Sequence, residues 1–237
     1  MPRADWAKAV VAVLGQDVPA GVVVIRIDEG GGLQVETGPA RPAIAGDSLA
    51  IDAVIDSAAA TDLRLTLGGR DVYVAAHGAA VETVDVESDD HLFEVRLGFQ
   101  VATVRGAVHG AEAAQLRLMS ARCVRWSVTD TTGGCWFPAG VLPKWDYHHR
   151  PFFHGQGLSL NVPAERLQVV CTRGLEYERT ERVVSPGAGE SVTVECDPAR
   201  LFDPAAEGWY GGDLHVHMNY SGAQRHNNES FSADHPS

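Results

Sequence analysis

No apolar run in this 237-residue chain approaches the ~18–20 residues of a membrane span, so the sequence offers no candidate transmembrane helix. Basic residues are also short. Nineteen Lys and Arg stand against 31 Asp and Glu, a formal net charge of -12 at pH 7. Such a chain lacks the basic surface that displaces counterions from nucleic acid, and it is poorly suited to an anionic membrane surface. Neither nucleic acid nor membrane is therefore expected as a partner. Cysteines are few, and Cys123, Cys135, Cys171 and Cys196 are too widely spaced for a CxxC zinc knuckle. Reduced and largely buried thiols are expected, with a Cys123–Cys135 bridge across a hairpin as the alternative in an oxidising compartment. No nucleophile elbow or Ser/His/Asp arrangement is legible. Gly30-Gly31-Gly32 and Gly133-Gly134 lack the following helix that a phosphate-cradling loop needs. Helical pattern is scarce, confined to residues 5–14 and a turn over Pro198 to Phe202.

The N-terminus loosely imitates a signal peptide, with Arg3 and Lys8 ahead of the apolar run Ala9 to Leu14. Asp5 interrupts the basic region, however, and Gln16-Asp17-Val18-Pro19 offers no convincing small-x-small cleavage site. Trp6, Val10, Val13 and Leu14 fall at i, i+4, i+7 and i+8, so a short amphipathic helix accounts for the same residues. A cytoplasmic location is the expectation.

What is present is β pattern. Val22 to Ile27 is a short apolar run closed by a glycine turn, and Leu33-Gln34-Val35-Glu36-Thr37 alternates strictly. Leu63 to Leu67 and Asp71 to Val74 flank Gly68-Gly69 and read as a hairpin. Val81 to Val86 and Leu92 to Leu97 continue the series. Strands at roughly 8–12-residue spacing between turns predict an antiparallel sandwich or barrel over residues 1–105. Arg105 to Ala114, rich in Gly and Ala, is the candidate boundary. A second β unit is expected over residues 115–200, from Leu116 to Met119, Cys123 to Val128, Leu158 to Leu160, Leu167 to Cys171, Thr180 to Val184 and Val192 to Val194. Cys135 to Gly157, with three prolines and several aromatics, reads as irregular. The fold class expected is thus mostly β, with two tandem antiparallel β-sandwich domains.

Candidate chemistry lies near the C-terminal end. His215-Val216-His217 follows a turn-flanked apolar segment, and alternation on a strand would put both imidazoles on one face, roughly 6.5–7 Å apart. Two neutral imidazoles can converge on one divalent first-row ion from that distance. Asp213, on the same face, could orient them or join them. A second set, Asp146, His148, His149 and His154, matches no metal-ligand spacing. Trp136 and Trp145 fit a sandwich rim better than a carbohydrate platform.

The segment Gly208-Trp209-Tyr210-Gly211-Gly212-Asp213-Leu214-His215-Val216-His217-Met218-Asn219-Tyr220 closely resembles the first metal-binding motif of PHP-domain metallohydrolases of the CehA/McbA type. Upstream, Phe153 to Gly157, Val162-Pro163-Ala164 and Thr172 to Tyr177 resemble the carboxypeptidase-regulatory-like β-sandwich that precedes the catalytic domain in that group. The resemblance covers about residues 115–222. It implies that residues 208–222 begin a distorted (β/α) barrel, with His215 and His217 as ligands of zinc, manganese or iron. The activity it implies is metal-dependent hydrolysis of phosphate esters or carboxylic esters and amides.

Twenty residues follow His217, whereas a (β/α) barrel takes on the order of 200 or more. The chain is therefore expected to carry only the first barrel strand, to be inactive alone and to hold metal poorly without the full-length parent, with residues 223–237 as a disordered tail. Its partners would be the missing catalytic barrel or a neighbour in a homo-oligomer. The rival expectation is an autonomous β-sandwich binding module in which the His-x-His strand is a relic.

Overall fold

A computed structural model describes residues 18–87, 92–146 and 150–210 of the chain. The described residues are mostly β, with no α-helix among them. The expected helix over residues 5–14, the expected barrel start beyond Tyr210 and the tail lie outside the described residues, and Gly208 to Tyr210 are not in a strand. The chain divides into two compact units after Ala113.

Among the described residues the first unit holds ten strands: β1 (Val22–Ile27), β2 (Leu33–Thr37), β3 (Arg41–Ile44), β4 (Ser48–Ser57), β5 (Leu63–Leu67), β6 (Arg70–Val74), β7 (Ala79–Glu87), β8 (Leu92–Leu97), β9 (Gln100–Arg105) and β10 (Val108–Ala111). They form a four-stranded sheet ordered β2-β1-β4-β7, another ordered β6-β5-β8-β9, and the two-stranded pair β10-β3. One apolar cluster draws on all three sheets, including Ile25, Ile55, Leu67, Val95 and Val108. The Gly68-Gly69 hairpin forms as the sequence indicates. Leu67 pairs with Arg70, and both glycines take positive φ, the two-residue turn whose twist matches that of its strands.

The second unit holds β11 (Ala113–Asp130), β12 (Lys144–Trp145), β13 (Pro151–Pro163), β14 (Leu167–Thr172), β15 (Thr180–Val184) and β16 (Ser191–Glu195). The sheet order is β12-β13-β11-β14-β15, and β16 pairs with the opening half of β11. Even-numbered residues of β11 face inward along nearly its whole length, from Ala114 through Leu118 to Val124 and Val128. That constant phase lets one strand serve β16 with its first half and β14 with its second. The core gathers around Trp126, which is fully buried and donates from Nε1 to the Gly155 carbonyl at 3.2 Å.

Three expectations are corrected. The sheets are not purely antiparallel: β1 with β4, β3 with β10 and β11 with β16 run parallel. In each pair the intervening chain is long enough to cross over, which a tight turn cannot do. The segment read as irregular to Gly157 already becomes β13 at Pro151. Its breakers are accommodated locally: Pro151 opens the strand, and the inward phase shifts from Phe153 and Gly155 to Leu158, Leu160 and Val162 across Gln156-Gly157. An extra residue in the strand produces such a shift, and glycine tolerates it. At Gly155 a Cβ would collide with the Leu158 side chain. The turn expected over Pro198 to Phe202 is not helical. A single 3₁₀ turn, Pro204–Glu207, forms instead, because Asp203 caps it by accepting from the Ala206 amide at 3.2 Å and Pro204 opens it.

Candidate functional site

The outward face of the second unit's sheet presents Arg125, and Arg150, Arg173 and Arg179 reach its recesses from loops. Alternation dictates which residues reach it: Arg125, Ser127 and Thr129 from β11 and Gln168, Val170 and Thr172 from β14. Register places them side by side, with Arg125 opposite Thr172, Ser127 opposite Val170 and Thr129 opposite Gln168. Two adjoining recesses of about 650 and 280 Å³ share Arg125, Thr172 and Arg179 in their walls. Arg173 completes the larger and Arg150 the smaller.

The guanidiniums are held by ion pairs, by aromatic stacking, or by both. Arg125 lies over the Phe152 ring at 3.9 Å and donates from Nη2 to Asp146 Oδ2 at 2.8 Å. Arg150 reaches the same oxygen from Nε at 2.8 Å, while its amide donates to Asp146 Oδ1 at 3.0 Å. Arg173 stacks on Tyr177 at 4.8 Å, and Arg179 pairs with Glu181. Stacking on an aromatic face fixes a guanidinium while leaving its N–H edge open to an acceptor.

Burial alone would raise the Asp146 carboxyl, but the Arg150 amide and the two guanidiniums outweigh it and hold it well below the usual carboxylate range. His154, at the rim of the larger recess, is held below its ordinary value. Partial desolvation leads, followed by the positive charges of Lys144 and Arg125. The surroundings of this imidazole thus favour its neutral form.

The residues singled out from sequence fare differently. His215, His217 and Asp213 lie outside the described residues, as do His148 and His149. Asp146 and His154 are both described, but Asp146 is committed to arginines rather than offered as a ligand. Among the described residues no three His, Cys, Asp or Glu side chains group as metal ligands. Trp145 and Phe153 pack against Phe137 at centroid distances of 5.6 and 5.9 Å, so the aromatics of this segment build a rim cluster.

Cys171 and Cys196 are buried as expected, but Cys123 is exposed and Cys135 half-buried, and geometry excludes the Cys123–Cys135 bridge. Cys135 bridges to Thr129, six residues along β11 from Cys123 and therefore roughly 20 Å away. The cysteines that do meet are Cys171 and Cys196, buried in the core, where the Cys171 Sγ lies 3.7 Å from the Cys196 carbonyl. Burial first, and then the neighbouring Cys196 thiol, push the Cys171 thiol far up. Sequence reasoning missed the arginine face. Its signal was the alternation of Arg125, Ser127 and Thr129, which gives the face but not the convergence of Arg150, Arg173 and Arg179 from loops.

No family model and no curated protein matches the chain. Among solved structures, it is similar to a laccase-like multicopper oxidase, CueO, from the lignin-degrading bacterium Ochrobactrum sp., at 10% identity and a TM-score of 0.24. That match covers 76% of this chain and 63% of the oxidase, so the chain spans under two thirds of that relative's length. Lac15 from a marine microbial metagenome gives 12% identity and a TM-score of 0.24, over 72% of this chain and 67% of that one. Bovine butyrophilin gives 11% and 0.18, over 70% and 99%. Likenesses this distant assign neither a family nor an activity.

Proposed function

We propose that residues 115–200 form a carboxypeptidase-regulatory-like β-sandwich serving as the accessory unit of a PHP-type metal-dependent hydrolase, and that residues 1–105 form a further sandwich ahead of it. In this reading His215 and His217 are ligands of zinc, manganese or iron. The observation that carries it is the segment Gly208 to Tyr220, whose spacing of His215 and His217 suits two imidazoles on one divalent ion. The position of that segment supports it too, directly after a β unit. So does the exposure of Trp209 and Tyr210, at 73 and 82%, as large apolar side chains suited to packing against a further domain.

A divalent ion held there would lower the pKa of bound water and polarise the scissile group. Two imidazoles fit such an ion chemically but fall short of the three protein ligands of a catalytic zinc site. We place the protein in the cytoplasm. No helix among the described residues is long and apolar enough to cross a membrane.

Equilibrium dialysis of the full chain against zinc and manganese tests the reading. Weak but saturable uptake, lost in the H215A/H217A double variant, is expected, since two imidazoles without further protein ligands hold an ion loosely. Uptake unchanged by both substitutions would overturn the ligand assignment. The rival reading, an autonomous binding module, is favoured by one observation, the arginine-lined face. It predicts no metal uptake and a ligand bound by the second unit.

A further inference from the structure

The arginine face poses a question that the hydrolase reading leaves unanswered. In a chain of net charge -12, Arg125, Arg150, Arg173 and Arg179 line two joined recesses whose described walls contain no carboxylate. Two carboxylates pair with these four guanidiniums: Asp146, bound to Arg125 and Arg150, and Glu181, opposite Val170 on the same face and bound to Arg179 and to Gln168 Nε2 at 2.9 Å. Four cations against two anions leave a local positive excess. Arg173 strengthens it, since it stacks on the uncharged Tyr177 ring. The Thr172 hydroxyl adds a neutral donor in both recesses, and Ser127 adds one in the smaller. The larger recess, at about 650 Å³, falls within the ~300–1,000 Å³ usual for small-molecule sites.

We propose that this face of the second unit binds a small multivalent anion, a phosphate ester or polycarboxylate, between Arg125, Arg173 and Arg179. Planar guanidiniums suit such oxygens because each can give two parallel N–H donors. Arg125 is the fixed element, clamped by Phe152 and Asp146. Arg173 and Arg179, on the loop after β14, close on the ligand from the other side. His154 at the rim reports occupancy, because an arriving negative charge offsets the cations that favour its neutral form.

The test is titration of the full chain with inorganic pyrophosphate and, separately, citrate. It is followed by calorimetry and by the His154 ring resonances. Saturable binding of at least one probe is expected, with the His154 titration moving to higher pH on saturation. Binding of pyrophosphate alone would identify a phosphate site, and of citrate alone a carboxylate site. R173Q and R179Q, both at solvent-accessible loop positions, should each weaken binding about tenfold or more while leaving the melting temperature near that of the parent. Absence of saturable binding by either probe would overturn the proposal. So would binding that both variants retain, or that leaves His154 unmoved. A failure here leaves metal uptake at His215 and His217 untouched, so the two readings fail separately.

Discussion

Asp130 illustrates how single residues fix the second unit. It ends β11 and is 6% exposed. Its Oδ1 accepts from the Thr132 amide and hydroxyl and the Gly134 amide, and Oδ2 from Trp136 Nε1 at 3.0 Å. The turn cluster Asp130 to Gly134 was legible in the sequence because aspartate followed by glycine carries this local chemistry. The thiols divide just as sharply. Reactivity belongs to the thiolate, so Cys123, exposed, should react with a disulfide reagent in the native chain. Cys171 and Cys196, buried and with the Cys171 thiol pushed up, should react only on unfolding. Rapid native labelling of either, read by peptide mass spectrometry, would contradict this packing.

At the level of elements, strands with bulky alternating residues were readable and strands built on small residues were not. Leu63 to Leu67 and Leu92 to Leu97 announce themselves, and β5 and β8 form there. β4, ten residues long and central between β1 and β7, escaped notice, since Ala50, Asp52, Ala53 and Asp56 dilute its apolar signal. Its inclusion comes from tertiary pairing: nine residues of β4 pair with β7. β10 was missed for the same reason, as Gly110 and Ala111 carry little pattern, and it is held by parallel pairing with β3.

The tie between β11 and the β12–β13 turn sets a pH dependence. The Asp146 pKa is depressed in the fold, so its contribution is present above the unfolded carboxylate value and is lost as pH falls through the folded one. His154, also depressed, acts in the same direction below its ordinary value near 6.5. The second unit should therefore melt at progressively lower temperature as pH is taken from 7 to 3. D146N should flatten the acid part of that slope. An equal slope in the variant would mean that the ion pairs with Arg125 and Arg150 contribute nothing.

Across the whole molecule, the described chemistry is concentrated in the second unit. The mostly-β class was visible because strand periodicity and glycine turns recur throughout. The arginine face was not, because it assembles from residues up to 54 positions apart, Arg125 to Arg179, whose approach only the sheet order decides. Leu201, Phe202, Trp209 and Tyr210 are exposed near the end of the described region. Such residues invite self-association when nothing covers them. A chain ending at Gly208 should be more soluble and less self-associating than the full chain, as measured by light scattering across a concentration series. Equal monodispersity of the two at high concentration would count against a role for Trp209 and Tyr210 in packing on another domain. The hydrolase reading itself rests on two imidazoles. Its most direct test is X-ray absorption of the zinc-loaded full chain beside the H215A/H217A variant. Outer-shell imidazole scattering from two histidines per zinc is expected, abolished in the variant. An oxygen-only shell, or a spectrum the substitutions leave unchanged, would contradict it.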